Sequence, residues 1–83
     1  VVTAAGFYFG ISRGEWIAVV LCFGMVLAAE GFNSAIERLV NLVSPGRNPL
    51  AGDIKDVAAG AVLVCAIAAA VVGLIIFLPY LLP

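Results

Sequence analysis

Five polar side chains recur at helical spacing along one stretch of the chain: Glu30, Asn33, Ser34, Glu37 and Asn41. At about 100° per residue they share an arc of about 100° on one helix face, with Phe32, Ile36, Leu39 and Val43 on the opposite side. Two carboxylates on one face with an amide between them offer the oxygen ligands that a hard cation such as Mg2+ takes. A carboxylate held in partly apolar surroundings is also a candidate general base. On the next helix, at a depth expected to be similar, Lys55 and Asp56 add an ammonium for phosphate and a further oxygen ligand. Metal ligand, cation and base are the parts that phosphoryl transfer needs. Neither GxxxxGK[ST] nor GxGxxG occurs in the sequence, so a nucleotide would not be held by a P-loop. The competing reading is an interhelical hydrogen-bond cluster without chemistry, because polar side chains commonly tie membrane helices together.

The elements that must position these residues follow from composition. Of 83 residues, 65% are hydrophobic and 11% charged, and the mean hydropathy is +1.25. Soluble domains hold about 45–50% apolar and about 25% charged residues, and so short a chain cannot bury this much apolar surface in water. A water-soluble enzyme is therefore excluded, and lipid must be much of the solvent. A net charge of −1 excludes a basic nucleic-acid binder. The absence of His removes the commonest general base and zinc ligand. Cys22 and Cys65 sit in apolar runs and read as small hydrophobes.

No charge occurs from residue 57 to 83, and 57–78 alone exceeds the about 20 residues a transmembrane helix needs. Asn48 as N-cap and Pro49 at the first helical position start this helix; Pro79 ends it and Tyr80 anchors it at the interface, giving a span of 49–78. A second helix is expected over 16–43, with Trp16 as interface anchor. Along it Glu30 lies about 21 Å and Glu37 about 31 Å from Trp16, against a hydrocarbon core about 30 Å thick. Glu37 and Arg38 thus reach the far interface and Glu30 stays below it. Residues 1–11 span half a bilayer and read as the back half of a first membrane helix whose start lies before Val1. Residues 12–15 read as a tight polar turn with Arg13 and Glu15 at a solvated hairpin tip. Ser44-Pro45-Gly46 is spaced for a type II turn in a loop over 44–48. Arg38, Arg47 and Lys55 outnumber Arg13, so residues 39–55 are expected on the cytoplasmic side and the C-terminus outside. Gly6 and Gly10 form a GxxxG spacing, read as simple helix contact. The whole chain, 1–83, is read as one unit.

At these residues the chain resembles the prokaryotic diacylglycerol kinase family. The resemblance rests on Glu30-Gly-Phe-Asn33-Ser-Ala-Ile-Glu37-Arg followed by Ile54-Lys55-Asp56-Val-Ala-Ala-Gly-Ala-Val. The closing stretch, Val71-Val-Gly-Leu-Ile-Ile-Phe-Leu-Pro79-Tyr80, is more similar to the undecaprenol kinase branch. The resemblance implies an all-α integral membrane protein with three transmembrane helices per protomer, the first incomplete here, assembled as a homotrimeric bundle in a prokaryotic cell membrane. It implies transfer of the γ-phosphoryl of MgATP to a membrane lipid alcohol, undecaprenol or diacylglycerol, at the cytoplasmic face. Carried over, Glu30 is the general base and, with Ser34, faces the lipid hydroxyl. Glu37 ligates Mg2+, and Asn33, Glu37, Lys55 and Asp56 bind ATP. Asn41 stands where the family commonly has Asp, and Ile54 where it commonly has Ala. The family's N-terminal surface helix and a glutamate on its first membrane helix fall before Val1, so the chain is expected to be an N-terminally truncated member. The alternatives are a proton-coupled transporter built on Glu30, disfavoured because the polar set crowds one interface, and a non-catalytic membrane subunit.

Overall fold

The computed structural model describes residues 1–46 and 48–82; Arg47, one of the charges used above for orientation, and Pro83 lie outside them. The chain forms three helices, α1 (Val2–Phe9), α2 (Arg13–Val43) and α3 (Pro49–Leu81), and no strand among the described residues. α2 begins at Arg13, before the expected start at Trp16, because Ser12 and Glu15 close a capping box. The Glu15 N–H donates to Ser12 Oγ at 3.2 Å and the Ser12 N–H donates to Glu15 Oε1 at 2.9 Å. Two otherwise orphaned N–H groups are satisfied this way. The segment 12–15 is therefore the first turn of a helix and not the tip of a hairpin.

The chain reversal sits one step earlier, at Gly10, whose φ of 64° is left-handed and ends α1. The Ile11 N–H reaches back to the Gly6 carbonyl at 3.2 Å, the six-to-one bond of a Schellman cap. Gly6 has a separate duty. A Cβ there would meet Trp16 Cη2 at 2.6 Å, and the Trp16 ring also packs on Phe7 with centroids 5.0 Å apart. The GxxxG spacing thus divides into a seat for Trp16 and a turn residue. At eight residues α1 is about 12 Å long and cannot cross a bilayer by itself.

α3 opens as its sequence implies. Asn48 Oδ1 accepts from the Leu50 N–H at 3.0 Å, and Pro49 takes the first helical position, where no N–H is needed. Asn48 also bridges the connection, its Nδ2 donating to Ser44 Oγ at 3.4 Å. The expected type II turn does not form: Gly46 lacks the positive φ such a turn requires, and α2 closes instead with the Ser44 N–H on the Val40 carbonyl at 2.8 Å. At the far end α3 runs through Pro79 to Leu81, past the expected stop at residue 78. Pro79 forfeits one bond to the preceding turn, yet the Leu82 N–H still bonds to the Leu78 carbonyl at 2.9 Å. Tyr80 gains a partner there, its hydroxyl donating to Glu15 Oε1 at 2.6 Å.

α2 and α3 form an antiparallel hairpin tied at both ends. Tyr80 meets Glu15 at one end, and at the other Lys55 Nζ donates to Asn41 Oδ1 at 2.6 Å. The two contacts lie about 26 residues apart on α2 and about 25 on α3, or about 38 Å, so neither helix slips against the other. That separation exceeds the about 30 Å hydrocarbon core, leaving the polar contacts to the two interfaces. Away from the polar face that carries Glu30, Ser34 and Glu37, the surface is largely apolar. Phe7, Leu42 and Ile75 are 75%, 79% and 68% exposed, and the buried hydrophobics are Ile11, Val19, Val40, Ala58 and Ile76. The radius of gyration is 17.1 Å, against about 12 Å for a globule of this length. Both α2 and α3 are long and apolar enough to cross a membrane. A helical hairpin with so little buried interior is built for lipid and for neighbouring helices.

Replacing Gly6 by Ala should lower the thermal midpoint by the equivalent of about 1–3 kcal/mol, because Trp16 must give way. Gly14→Ala, in open space in the first turn of α2, should be neutral or mildly stabilising. Thermal unfolding of both variants in one detergent checks the pair.

Candidate functional site

The residues singled out by spacing lie on the last four turns of α2 and the first turns of α3. Glu30, Asn33, Glu37 and Asn41 follow one another about one turn apart, so neighbouring members meet along the helix surface. Glu30, Ser34 and Glu37 are exposed on this hairpin, as are Asn41 and Asp56; Asn33 and Lys55 are partly buried. The apolar flank, with Ile36, Leu39, Val40 and Val43, instead lines a groove of about 420 Å3 against Leu50, Ala51 and Ile54. Polar and apolar duties are thereby split between two sides of the same helix end.

The structure brings some of these groups together and leaves others apart. Lys55 stands level with Asn41, one turn beyond Glu37, and not at the depth of Glu30. Glu37 lies about 6 Å and Glu30 about 17 Å from the Asn41–Lys55 contact along the axis, towards the middle of the hairpin. Among the described residues no three Asp, Glu or Cys side chains converge, so Glu30, Glu37 and Asp56 do not form a metal cage within one chain. Asn33 carries the one anomaly on this face. Its Oδ1 is buried and has no hydrogen-bond partner. A buried unpaired acceptor costs stability, and groups of this kind commonly mark a place where a donor or cation belongs.

That observation tests whether Mg2+ fits. The donors on the face are all oxygens: the Glu37 carboxylate with Asn33 Oδ1 one turn before it. Mg2+ is usually held by one or two carboxylates together with substrate phosphates and waters, not by a full protein cage. The residues present therefore suit a metal that arrives with a phosphorylated ligand.

Two contacts that matter to this arrangement were not visible in the helical pattern. Asn41 lies on the polar face with no task that its spacing assigns, and the sequence alone places Glu15 in solvent and Tyr80 at the interface. Both pairs join positions far apart in the chain, which a periodicity of 3.6 residues does not report.

Fold and face together define a class: a small all-helical membrane protein whose carboxylates, amides and single lysine gather towards one end of an apolar hairpin. Within that class the chain belongs to the prokaryotic diacylglycerol kinase family, whose family model matches residues 1–77. It is 42% identical over 80 residues to the undecaprenol kinase of Bacillus subtilis (strain 168), a match that covers 96% of this chain and 65% of that protein. It is 46% identical over 67 residues to the diacylglycerol kinase of Synechocystis sp. (strain ATCC 27184 / PCC 6803 / Kazusa), covering 80% of this chain and 37% of that protein. The chain thus spans less than two thirds of the length of either relative. No solved structure matches it significantly.

Removing the unpaired acceptor separates binding from stability. Asn33→Leu should leave the midpoint of the ligand-free protein unchanged or raised, and should abolish the stabilisation that MgATP gives by mass action. Thermal unfolding with and without MgATP reads both effects; a lowered ligand-free midpoint with the MgATP shift retained would assign Asn33 to packing.

Proposed function

We infer that this chain forms the reaction centre of a membrane lipid kinase, which transfers the γ-phosphoryl of MgATP to a lipid alcohol at the cytoplasmic face. The observation that carries the reading is the depth order on α2. Glu30 is the deep carboxylate, Glu37 the shallow one, and Lys55 lies at the water end. A lipid hydroxyl arrives along the bilayer and a nucleotide arrives from water, so acceptor and donor meet between these levels. The names of both relatives, undecaprenol kinase and diacylglycerol kinase, agree with this reading. The match that covers 96% of the chain favours undecaprenol as the acceptor.

In the reaction Glu30 accepts the proton of the lipid hydroxyl as its oxygen attacks the γ-phosphorus. The bond from that phosphorus to the β–γ bridging oxygen breaks, and ADP leaves with the electron pair. Products are the lipid phosphate and ADP, and the proton passes from Glu30 to water. Ser34, one turn from Glu30, orients the hydroxyl. Lys55 holds phosphate oxygens by charge and hydrogen bond, and Asp56 beside it contacts the nucleotide. Glu37 and Asn33 would hold the Mg2+ that accompanies ATP, which would supply positive charge to offset the charge of the phosphates during transfer. Glu30, Ser34 and Glu37 are exposed on the isolated hairpin, so enclosing the reaction from water falls to further helices. A homotrimer with three membrane helices in each protomer supplies them.

The test uses the full-length protein in nanodiscs with ATP labelled at the γ-phosphate, and undecaprenol and diacylglycerol supplied side by side. Labelled lipid is expected, more of it from undecaprenol. Glu30→Gln should lower turnover by about 100-fold or more, the scale of a lost general base, with assembly and MgATP binding intact. Glu37→Gln should instead raise the Mg2+ concentration needed for half-maximal rate. Folded protein that labels neither lipid would contradict the assignment.

A further inference from the structure

We propose that Arg38 is a further residue of the reaction centre, whose guanidinium binds the phosphoryl group in transit between nucleotide and lipid hydroxyl. The proposal rests on the lipid-kinase reading above for the identity of that reaction. Arg38 follows Glu37 directly and is exposed. At about 100° per residue it lies about 40° round α2 from Ser34 and about 60° from Asn41, so it continues the polar face by one member. It is also about 160° round from Val40, which is buried beside the start of α3. No helix neighbour neutralises it: the positions three and four residues away are Ser34, Ala35, Asn41 and Leu42, none of them acidic. Glu37 is adjacent in sequence, and consecutive residues on a helix do not face each other.

Depth and charge both point to the transferred group. The Lys55 contact with Asn41 lies about 4.5 Å beyond Arg38 along α2, and Glu30 about 12 Å before it. A helical side chain leans back over the preceding turn, which for Arg38 is the turn that carries Ser34. The guanidinium therefore falls between the level of the ammonium and the level of the carboxylate assigned to the lipid hydroxyl. The charge balance calls for a second cation there. The groups assigned to the reaction include three carboxylates, Glu30, Glu37 and Asp56, against one cation, Lys55. Such an excess repels a polyphosphate, and Arg38 halves it. A guanidinium stays charged and offers a planar fork of donors that matches phosphate oxygens. Arg38 neither gives nor takes a proton, so the proton and electron balance of the transfer is unaltered.

Steady-state kinetics of the full-length protein in nanodiscs, with calorimetric titration of MgADP plus aluminium fluoride, test this. The fluoride complex stands in for the phosphoryl group in transit. Arg38→Ala should lower kcat by about 100-fold, the scale of one lost donor to developing charge, with KM for ATP changed less. It should also weaken binding of MgADP with fluoride by about 100-fold, while binding MgADP alone as the wild type does. Arg38→Lys keeps the charge, and with it any part the residue has in membrane orientation, but loses the fork. It should recover no more than about a tenth of the wild-type rate. Arg38→Lys at the wild-type rate, or equal binding of the fluoride complex by wild type and Arg38→Ala, would each overturn the proposal. Wild-type protein that labels no lipid, yet binds the fluoride complex in an Arg38-dependent way, would sink the lipid-kinase reading alone. Wild-type protein that labels lipid while Arg38→Ala turns over normally would sink this proposal alone.

Discussion

The antiparallel register of α2 against α3 is the constraint on which the rest depends. Two hairpins with the same composition but a slip of one turn would place Lys55 beside a different member of the polar face and would strand Tyr80 away from Glu15. Apolar side chains in lipid do little to prevent such a slip, because lipid tails solvate them as well as another helix does. Polar contacts at the two ends are what fix it. Each joins one helix to the other on the exposed surface, and together they bracket most of the length of the hairpin. The capping box at Ser12 and the Asn48 cap then define where each helix starts, so register and length agree.

From that register the site inherits its order along the membrane normal. Glu30 lies further along α2 towards the middle of the hairpin than Glu37, and Lys55 stands level with Asn41 beyond both, so the proposed function separates the group it assigns to the lipid from those it assigns to the nucleotide. The face bears the marks of such a task. Asn33 keeps a buried acceptor without a partner, and Glu30 sits within a stretch where a charged group is expensive. A helix selected for stability alone would have replaced both. Tension between local stability and polar chemistry is common where a binding site is built into a fold.

Much of this was legible from the residues. The uncharged run after Asp56 marked α3, Asn48-Pro49 marked its start, and a period of 3.6 gathered Glu30, Asn33, Ser34, Glu37 and Asn41 on one face. The start of α2 was also written in the chain, as Ser12 followed by Glu15 at capping-box spacing, but Gly14 between them made a turn the more natural reading. Pro79 misled in the other direction: it removes a bond from the last turn without ending it, because Tyr80 is held from across the hairpin. Gly46 is free to take a left-handed turn and does not. What the residues could not report were the pairings at long separation, Glu15 with Tyr80 and Asn41 with Lys55, since neither helical period nor local turn chemistry encodes them. They depend on the register, and the register exists only once both helices are packed.

Cross-linking within one chain tests that register most directly. With Cys22 and Cys65 replaced by Ala, a cysteine introduced at position 41 together with one at 55 should be joined by a short bifunctional thiol reagent, and the product should migrate as a monomer in denaturing gels. Cysteines at 30 and 55, about 17 Å out of step along the axis, should remain unjoined within the chain. Joining of the 30 and 55 pair, with the 41 and 55 pair left free, would contradict the account.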